Sequence, residues 1–270
     1  MKDNFIDAGG IKTHYLEEGR GPTVILIHGG GAGADASGNW RGCIPLFAEH
    51  FHVIAVDMLG FGQTAKPDPA KFVYSQDART RHIASFIEAL KIGKVNLIGN
   101  SMGGMTSLCV AMTRPELVDK LVLMGAAGIK APLNESLRVI MGYSPTRENM
   151  VKLIKALTND DFKVDPEMVE YRLKLTMEPA TAAAYGATMK WIGEQGGLFI
   201  PDEQDIAKVK HQTLVVGGKN DKVVPPESNW RFSQLLENSW LHLIPHCGHW
   251  AMIERPVEFS AVTSWFLRNP

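Results

Sequence analysis

The sequence predicts an α/β fold: a mostly parallel, eight-stranded sheet with helices on both faces and a helical lid inserted after the sixth strand. Three observations carry this. Short apolar runs break repeatedly into glycine turns, as in TVILIHGGG at 23–31, VIAVDMLGFG at 53–62 and VNLIGNSMGG at 95–104. Continuous apolarity of this kind marks strands covered on both faces. Helical patterns separate the runs, as crossover connections between parallel strands require. From 129 to 205 the alternation stops, and four helical patterns follow one another without a strong strand between them.

Taken in order, 4–7 and 12–17 read as two short strands joined by Gly9-Gly10, an antiparallel sheet edge. The strand at 23–31 is followed by a loop through Asn39 and a helix over 40–49. After the strand at 53–62, helical periodicity covers 75–90, and the strand before Ser101 leads into a helix over 102–113. LVDKLVLMGAAG at 117–128 is the sixth strand. The insertion contains ESLRVIMGY, TRENMVKLIKALTN, PEMVEYRLKLTM and ATAAAYGATMKWIGEQ. Strands at 211–221 and 239–245 flank a helix over 227–236, and a helix over 256–267 closes the chain. The expected division is a core of 1–128 and 206–270 with a lid of 129–205. Met141, Met150, Met168, Met177 and Met189 of the lid either pack its own core or line an adaptable apolar site.

Charge is balanced, with 28 Lys and Arg against 29 Asp and Glu, and no basic run suggests nucleic acid or an anionic membrane. A small-molecule substrate is the expected partner. No apolar run approaches about 18 residues, and MKDNFIDAGG lacks the apolar region of a secretory signal, so a cytoplasmic protein is expected. Cys43, Cys109 and Cys247 show no CxxC spacing and read as small buried apolar residues. No metal site and no cofactor are implied.

Chemistry centres on Gly99-Asn100-Ser101-Met102-Gly103. A serine between these glycines sits on a tight strand-to-helix turn, with the following helix N-terminus favouring negative charge beside it. A base must follow late in the chain, and His249 in PHCGHW, after the last strand, has the required place. His246 is its near competitor, while His14, His50, His52, His82 and His211 lie in ordinary strand, helix or turn settings. Asp221, in the turn ending the penultimate strand, is the expected carboxylate partner of His249; Asp57, before MLGFG, reads as a turn residue. His28-Gly29-Gly30-Gly31 offers backbone N–H groups to an oxyanion, with Gly30, Gly31 and the Met102 N–H as the expected donors. A phosphate loop is the rival reading of these glycines, but neither G-K-[ST] nor GxGxxG is present there.

These parts, in this order, resemble the α/β-hydrolase fold over essentially the whole chain. More narrowly, HGGGAGADASGNW, DMLGFGQTAKP, GNSMGG, GKNDKVVP and PHCGHWAMIERP resemble the meta-cleavage product hydrolases of bacterial aromatic degradation. ALTNDDFKVD and WIGEQGGLF extend the likeness toward the branch that acts after ring cleavage of carbazole. The resemblance implies hydrolysis of a carbon–carbon bond in 2-hydroxy-6-oxohexa-2,4-dienoates, and a homodimer. It also implies that Asn39, Asn100, Arg172, Trp250 and Trp191 bind substrate, with Arg172 gripping the carboxylate. A carboxylesterase with the same triad is the first rival reading, and a ligand-binding receptor of slow turnover the second.

Overall fold

The computed structural model describes residues 1–195 and 201–269. Its sheet contains β1 (Lys2–Asp7), β2 (Lys12–Gly19), β3 (Thr23–Ile27), β4 (His52–Val56), β5 (Val95–Asn100), β6 (Val118–Met124), β7 (Thr213–Gly218) and β8 (Ser239–Ile244), in the spatial order β1-β2-β4-β3-β5-β6-β7-β8. The β1–β2 and β2–β4 pairs are antiparallel and all the others parallel, which is the expected sheet with its antiparallel edge. Every residue of β5 and β7 is buried, the polar Asn96, Asn100 and Thr213 included, as strands covered on both faces are. Each fully buried Val, Leu or Ile there contributes about 1.5–3 kcal/mol.

The helices are α1 (Ala36–Trp40), α2 (Ile44–Ala48), α3 (Gln76–Leu90), α4 (Met102–Thr113), α5 (Glu135–Met141), α6 (Arg147–Leu157), α7 (Pro166–Thr176), α8 (Pro179–Glu194), α9 (Glu203–Ile206), α10 (Pro226–Leu235), α11 (Ala251–Glu254) and α12 (Pro256–Arg268). Apolar clusters on the two faces of the sheet enclose it: Leu26, Ala55 and Val216 point into one, and Ile27, Val56 and Val215 into the other. Between β6 and β7 run α5 to α9, each of the first four beginning on a side-chain cap. Asn134, Thr146, Asp165 and Glu178 accept from backbone N–H groups of the first turn, about 1 kcal/mol each. The GGLF part of WIGEQGGLF lies outside the described residues.

The helix expected over 40–49 is confined to α2, and the stretch through Asn39 expected as loop holds the separate short helix α1. Asp35 caps α1, and the chain re-enters helix at α2 with Pro45 in its first turn. Proline has no N–H to continue a helix but suits a first turn, so Gly42 and Pro45 mark a break where the apolar pattern runs on. Asn39 thereby lies on a short helix of its own, packed between the sheet and α7.

Candidate active site

β5 runs into α4 through Ser101, whose backbone is forced to φ 54 and ψ −117. A left-handed conformation costs a residue with a Cβ about 1–3 kcal/mol, and packing must hold it. The flanking glycines show how tight that packing is. A Cβ on Gly99 would lie 2.3 Å from the Gly103 carbonyl oxygen, and one on Gly103 would lie 2.4 Å from the carbonyl oxygens of both Ile27 and His28. No side chain fits at either position. The α4 N-terminus, bearing Met102, is thus set directly behind the serine.

On the far side, the loop after β8 carries His249, which is buried. His249 Nδ1 lies 2.8 Å from Asp221 Oδ2, and Asp221 Oδ1 accepts the N–H groups of Val223 and Val224 at 2.8 and 2.9 Å. A carboxylate accepts, so Nδ1 carries the proton and the neutral ring keeps Nε2 free to receive one. Glu254 anchors this loop from below. Its carboxylate accepts from Gly248 N at 3.0 Å, Trp250 N at 3.3 Å and Asn159 N at 2.8 Å, while burial pushes the carboxyl pKa up. The His249 N–H reaches the Leu157 carbonyl of α6 at 3.0 Å, tying the loop to the inserted helices.

Ser101, His249, Met102, Gly30 and Gly31 all line one cavity of about 600 Å³, its mouth included. A Cβ on Gly30 would fall 2.6 Å from the Met102 side chain, so the two expected oxyanion donors belong to neighbouring segments. The rest of the wall is largely apolar: Leu137, Ile140, Met141, Met189, Ile192 and Val223. The five lid methionines therefore divide. Met141 and Met189 face the cavity, Met150 and Met168 are buried in the core, and Met177 is exposed.

Asn100 and Trp250 also line the cavity. The Asn100 amide donates to the carbonyls of Met124 and His249 at 3.2 and 3.4 Å, which leaves its Oδ1 buried without a partner. Behind Trp250 lies Arg172, fully buried, with its guanidinium carbon 4.2 Å from the indole centroid. It donates to Asn39 Oδ1 at 3.0 Å and to the Gly38 and Gly33 carbonyls at 3.3 and 3.4 Å. Its Nε and the Asn39 Nδ2 are buried donors without partners. Burial pushes the guanidinium pKa down to about 10, with Asp35 acting against that shift. Asp35 in turn accepts Tyr171 Oη at 2.5 Å, which fastens α7 to the start of α1 beside Arg172.

Trp191 is elsewhere. It lines a separate cavity with Gln76, Thr80 and Cys109, and its ring packs on Arg79, 5.5 Å from the guanidinium carbon. One residue along a helix turns the side chain by about 100°, so Ile192 takes the place expected of Trp191. His246 is exposed, and its carbonyl accepts from Arg255. Asp57 accepts from Ala36 N, Gln63 N and His14, which makes it a hub of the turn at the sheet edge. Gly125 is a site residue that sequence reasoning missed. At φ 49, a Cβ there would lie 3.1 Å from His249 Nδ1 and 3.2 Å from Asp221 Oδ2, and the signal was a glycine directly ending the sixth strand. Among the described residues no group of His, Cys, Asp and Glu is arranged to hold a metal ion.

A strained serine on a strand-to-helix turn, a buried His–Asp pair and a glycine loop, all on the carboxyl side of a mostly parallel sheet, define a serine hydrolase. The family model described as alpha/beta hydrolase fold matches residues 22–256. A 2-hydroxy-6-oxo-6-(2'-aminophenyl)hexa-2,4-dienoic acid hydrolase of Metapseudomonas resinovorans is 55% identical, over 98% of this chain and 90% of its own. A 2-hydroxy-6-oxo-2,4-heptadienoate hydrolase of Pseudomonas putida is 37% identical, over 96% of this chain and 94% of its own. Among solved structures, a serine hydrolase involved in carbazole degradation superposes with a TM-score of 0.91 at 52% identity, over 98% of both chains. The chain belongs to the α/β-hydrolase family and, within it, to the meta-cleavage product hydrolases.

Proposed function

We propose that this enzyme hydrolyses the C5–C6 bond of 2-hydroxy-6-oxohexa-2,4-dienoates, giving 2-hydroxypenta-2,4-dienoate and a carboxylic acid. The observation that carries the reading is the buried Arg172, stacked on Trp250 and joined to Asn39, with unfilled donors on both residues. A buried guanidinium without a carboxylate partner, separated from the cavity of Ser101 by the Trp250 ring on which it stacks, suits a substrate that brings its own carboxylate and reaches it past that ring.

Arg172, Asn39 and Asn100 hold the carboxylate and the adjacent oxygen while the dienol takes a proton at C5 and becomes its keto form. Ser101, deprotonated by His249, then attacks the C6 carbonyl, with Asp221 stabilising the imidazolium and the N–H groups of Gly30 and Met102 receiving the oxyanion. The C5–C6 electron pair leaves into the ketonised fragment, and the proton held by His249 passes to the resulting dienolate, regenerating the dienol and a neutral imidazole. Water, deprotonated by His249, releases the acyl group as a carboxylic acid. The apolar wall holds the group beyond C6. Trp191 has no part in this reading, and Gly31 shapes the loop beside Gly30. We assign 129–205 as a lid over a core of 1–128 and 206–270, supported by the seven residues of that stretch, from Leu133 to Ile192, that line the cavity.

The chain contains no helix among the described residues long and apolar enough to cross a membrane. We place it in the cytoplasm as a homodimer, a reading supported by three buried, unpaired cysteines and by Trp240 and Leu243 exposed on the end strand β8. Light scattering tests the dimer.

The deciding experiment follows bleaching of 2-hydroxy-6-oxo-6-phenylhexa-2,4-dienoate, with a p-nitrophenyl ester in parallel. Bleaching lost in Ser101→Ala, and lost in Arg172→Ala without a matching loss of ester cleavage, supports the reading. Ester cleavage without bleaching by the unaltered enzyme replaces it with a carboxylesterase.

A further inference from the structure

We propose that His28 is a positioning residue that fixes the direction of the Gly30 N–H, and so assembles the oxyanion site. The proposal rests on the reading of that N–H as an oxyanion donor. His28 is fully buried beneath the glycine loop and makes two hydrogen bonds, both to backbone groups whose roles are set. The Met58 N–H donates to His28 Nε2 at 3.0 Å, so Nε2 carries a lone pair and the proton resides on Nδ1. Nδ1–H then donates to the Gly29 carbonyl at 2.7 Å. That carbonyl belongs to the same planar peptide as the Gly30 N–H, and in a trans peptide the two point in opposite directions. Drawing the oxygen down onto the imidazole turns the N–H up toward the cavity that Gly29, Gly30 and Gly31 line.

The loop has no side chain of its own to choose between peptide orientations, so an outside group must. Two features keep His28 fit for this. Phe61 packs edge-on against the ring at 5.3 Å, and burial pushes the imidazole pKa down, with Asp57 and Asp35 opposing and Arg172 assisting. The ring stays neutral; a second proton, on Nε2, would face the Met58 N–H. The turn that follows β4 thus sets the peptide on which the oxyanion depends, without touching substrate.

The test compares His28→Asn, which keeps an N–H near the Nδ1 position, with His28→Gln, whose amide lies at the Nε2 position. The readouts are kcat and KM on a p-nitrophenyl ester, inhibition by phenylboronic acid as a tetrahedral anionic adduct of Ser101, and binding of benzoate as a ground-state ligand. His28→Gln is expected to lose roughly 100- to 1000-fold in kcat and in boronate affinity together, with KM and benzoate affinity nearly unchanged, while His28→Asn recovers most of both. Nitrogen-15 NMR of the unaltered protein is expected to show the Nδ1–H tautomer. Equal losses in boronate and benzoate binding, no loss in either variant, or an Nε2–H tautomer each overturns the proposal. The dienoate reading fails separately, as absence of bleaching by the unaltered enzyme, and leaves these outcomes intact.

Discussion

Replacing Arg172 by methionine separates what this side chain does for the fold from what it does for substrate. Its guanidinium pKa is pushed down to about 10 by burial, so the native state holds the cation less favourably than the unfolded chain does. The sign follows: folded below unfolded for a base means a penalty present at every pH below about 10, neutral pH included, on the order of 3 kcal/mol. Against it stand two long hydrogen bonds at 3.3 and 3.4 Å, one at 3.0 Å to Asn39 and the stack on Trp250. These return roughly 0.5–1.5 kcal/mol each, and the stack about 2 kcal/mol. Together they exceed the penalty by about 0.5–3.5 kcal/mol, a margin that burial of a methionine side chain, about 1.5–3 kcal/mol, offsets. Methionine fills much of the same volume without the charge, so Arg172→Met is expected to unfold within about 4 °C of the unaltered enzyme, where 1 kcal/mol corresponds to about 2–4 °C at this size.

Activity is a different matter. A substrate carboxylate that loses two charge-assisted hydrogen bonds loses about 3–6 kcal/mol, or roughly 100- to 10,000-fold in kcat/KM on the dienoate. A p-nitrophenyl ester has no such group and is expected to be cleaved nearly as before. Differential scanning calorimetry and the two kinetic assays decide. A melting temperature lower by about 10 °C, with both activities reduced alike, would mean that Arg172 is a structural anchor and would refute the argument.

Gly125→Ala puts a methyl 3.1 Å from His249 Nδ1 at φ 49, so kcat on either substrate is expected to fall at least about tenfold with a modest change in melting temperature, read by kinetics and calorimetry. Ser101→Gly removes both the nucleophile and the left-handed strain, and is expected to abolish ester cleavage while raising stability by about 1 kcal/mol in urea unfolding. For the buried pair His14–Asp57, burial opposes both charges, but the 2.7 Å contact, with Asp3 on His14 and backbone N–H groups on Asp57, outweighs it. His14 is raised, so its contribution is complete below about pH 6.5 and lost as pH rises through its folded value; Asp57 is lowered, so its contribution is complete above about pH 4 and lost on further acidification. Urea midpoints are expected to be highest between these limits, and His14→Gln is expected to flatten the alkaline side; an unchanged profile in that variant would remove the pair from the account.

How much of this was legible in sequence depended on whether the signal was local. Strand order needs long-range pairing, yet the apolar-rich runs ending near glycine at β3, β5 and β6 made the parallel sheet readable, because strands covered on both faces are rich in apolar residues. Ser101, Asp221 and His249 were readable for the same reason: each directly follows a strand, and strand ends of such a sheet converge on one edge. Helix phase was not. Trp191 and Ile192 both suit an apolar wall, and only the seating of α8 decides which of them faces the cavity. The break between α1 and α2 was written in Gly42 and Pro45 but masked by apolar residues on either side.

The residues that sequence reasoning missed share a physical cause. Gly125 and His28 act on groups that belong to other segments, and their identities carry meaning only once those segments meet. A glycine after a strand is common, and so is a histidine before a glycine run; neither announces a partner. In the folded chain Gly125 clears the space in which His249 and Asp221 join, and His28 takes the Gly29 carbonyl while receiving Met58. The same logic governs the unsatisfied donors of Arg172 and Asn39, together with the strained backbone of Ser101. Each is unfavourable to the protein by itself: Ser101 lines the cavity, and Arg172 and Asn39 lie behind its Trp250 wall. On the proposed function, local rules of folding are violated there because a bound anion, first the substrate carboxylate and then the developing oxyanion, completes what the chain leaves open.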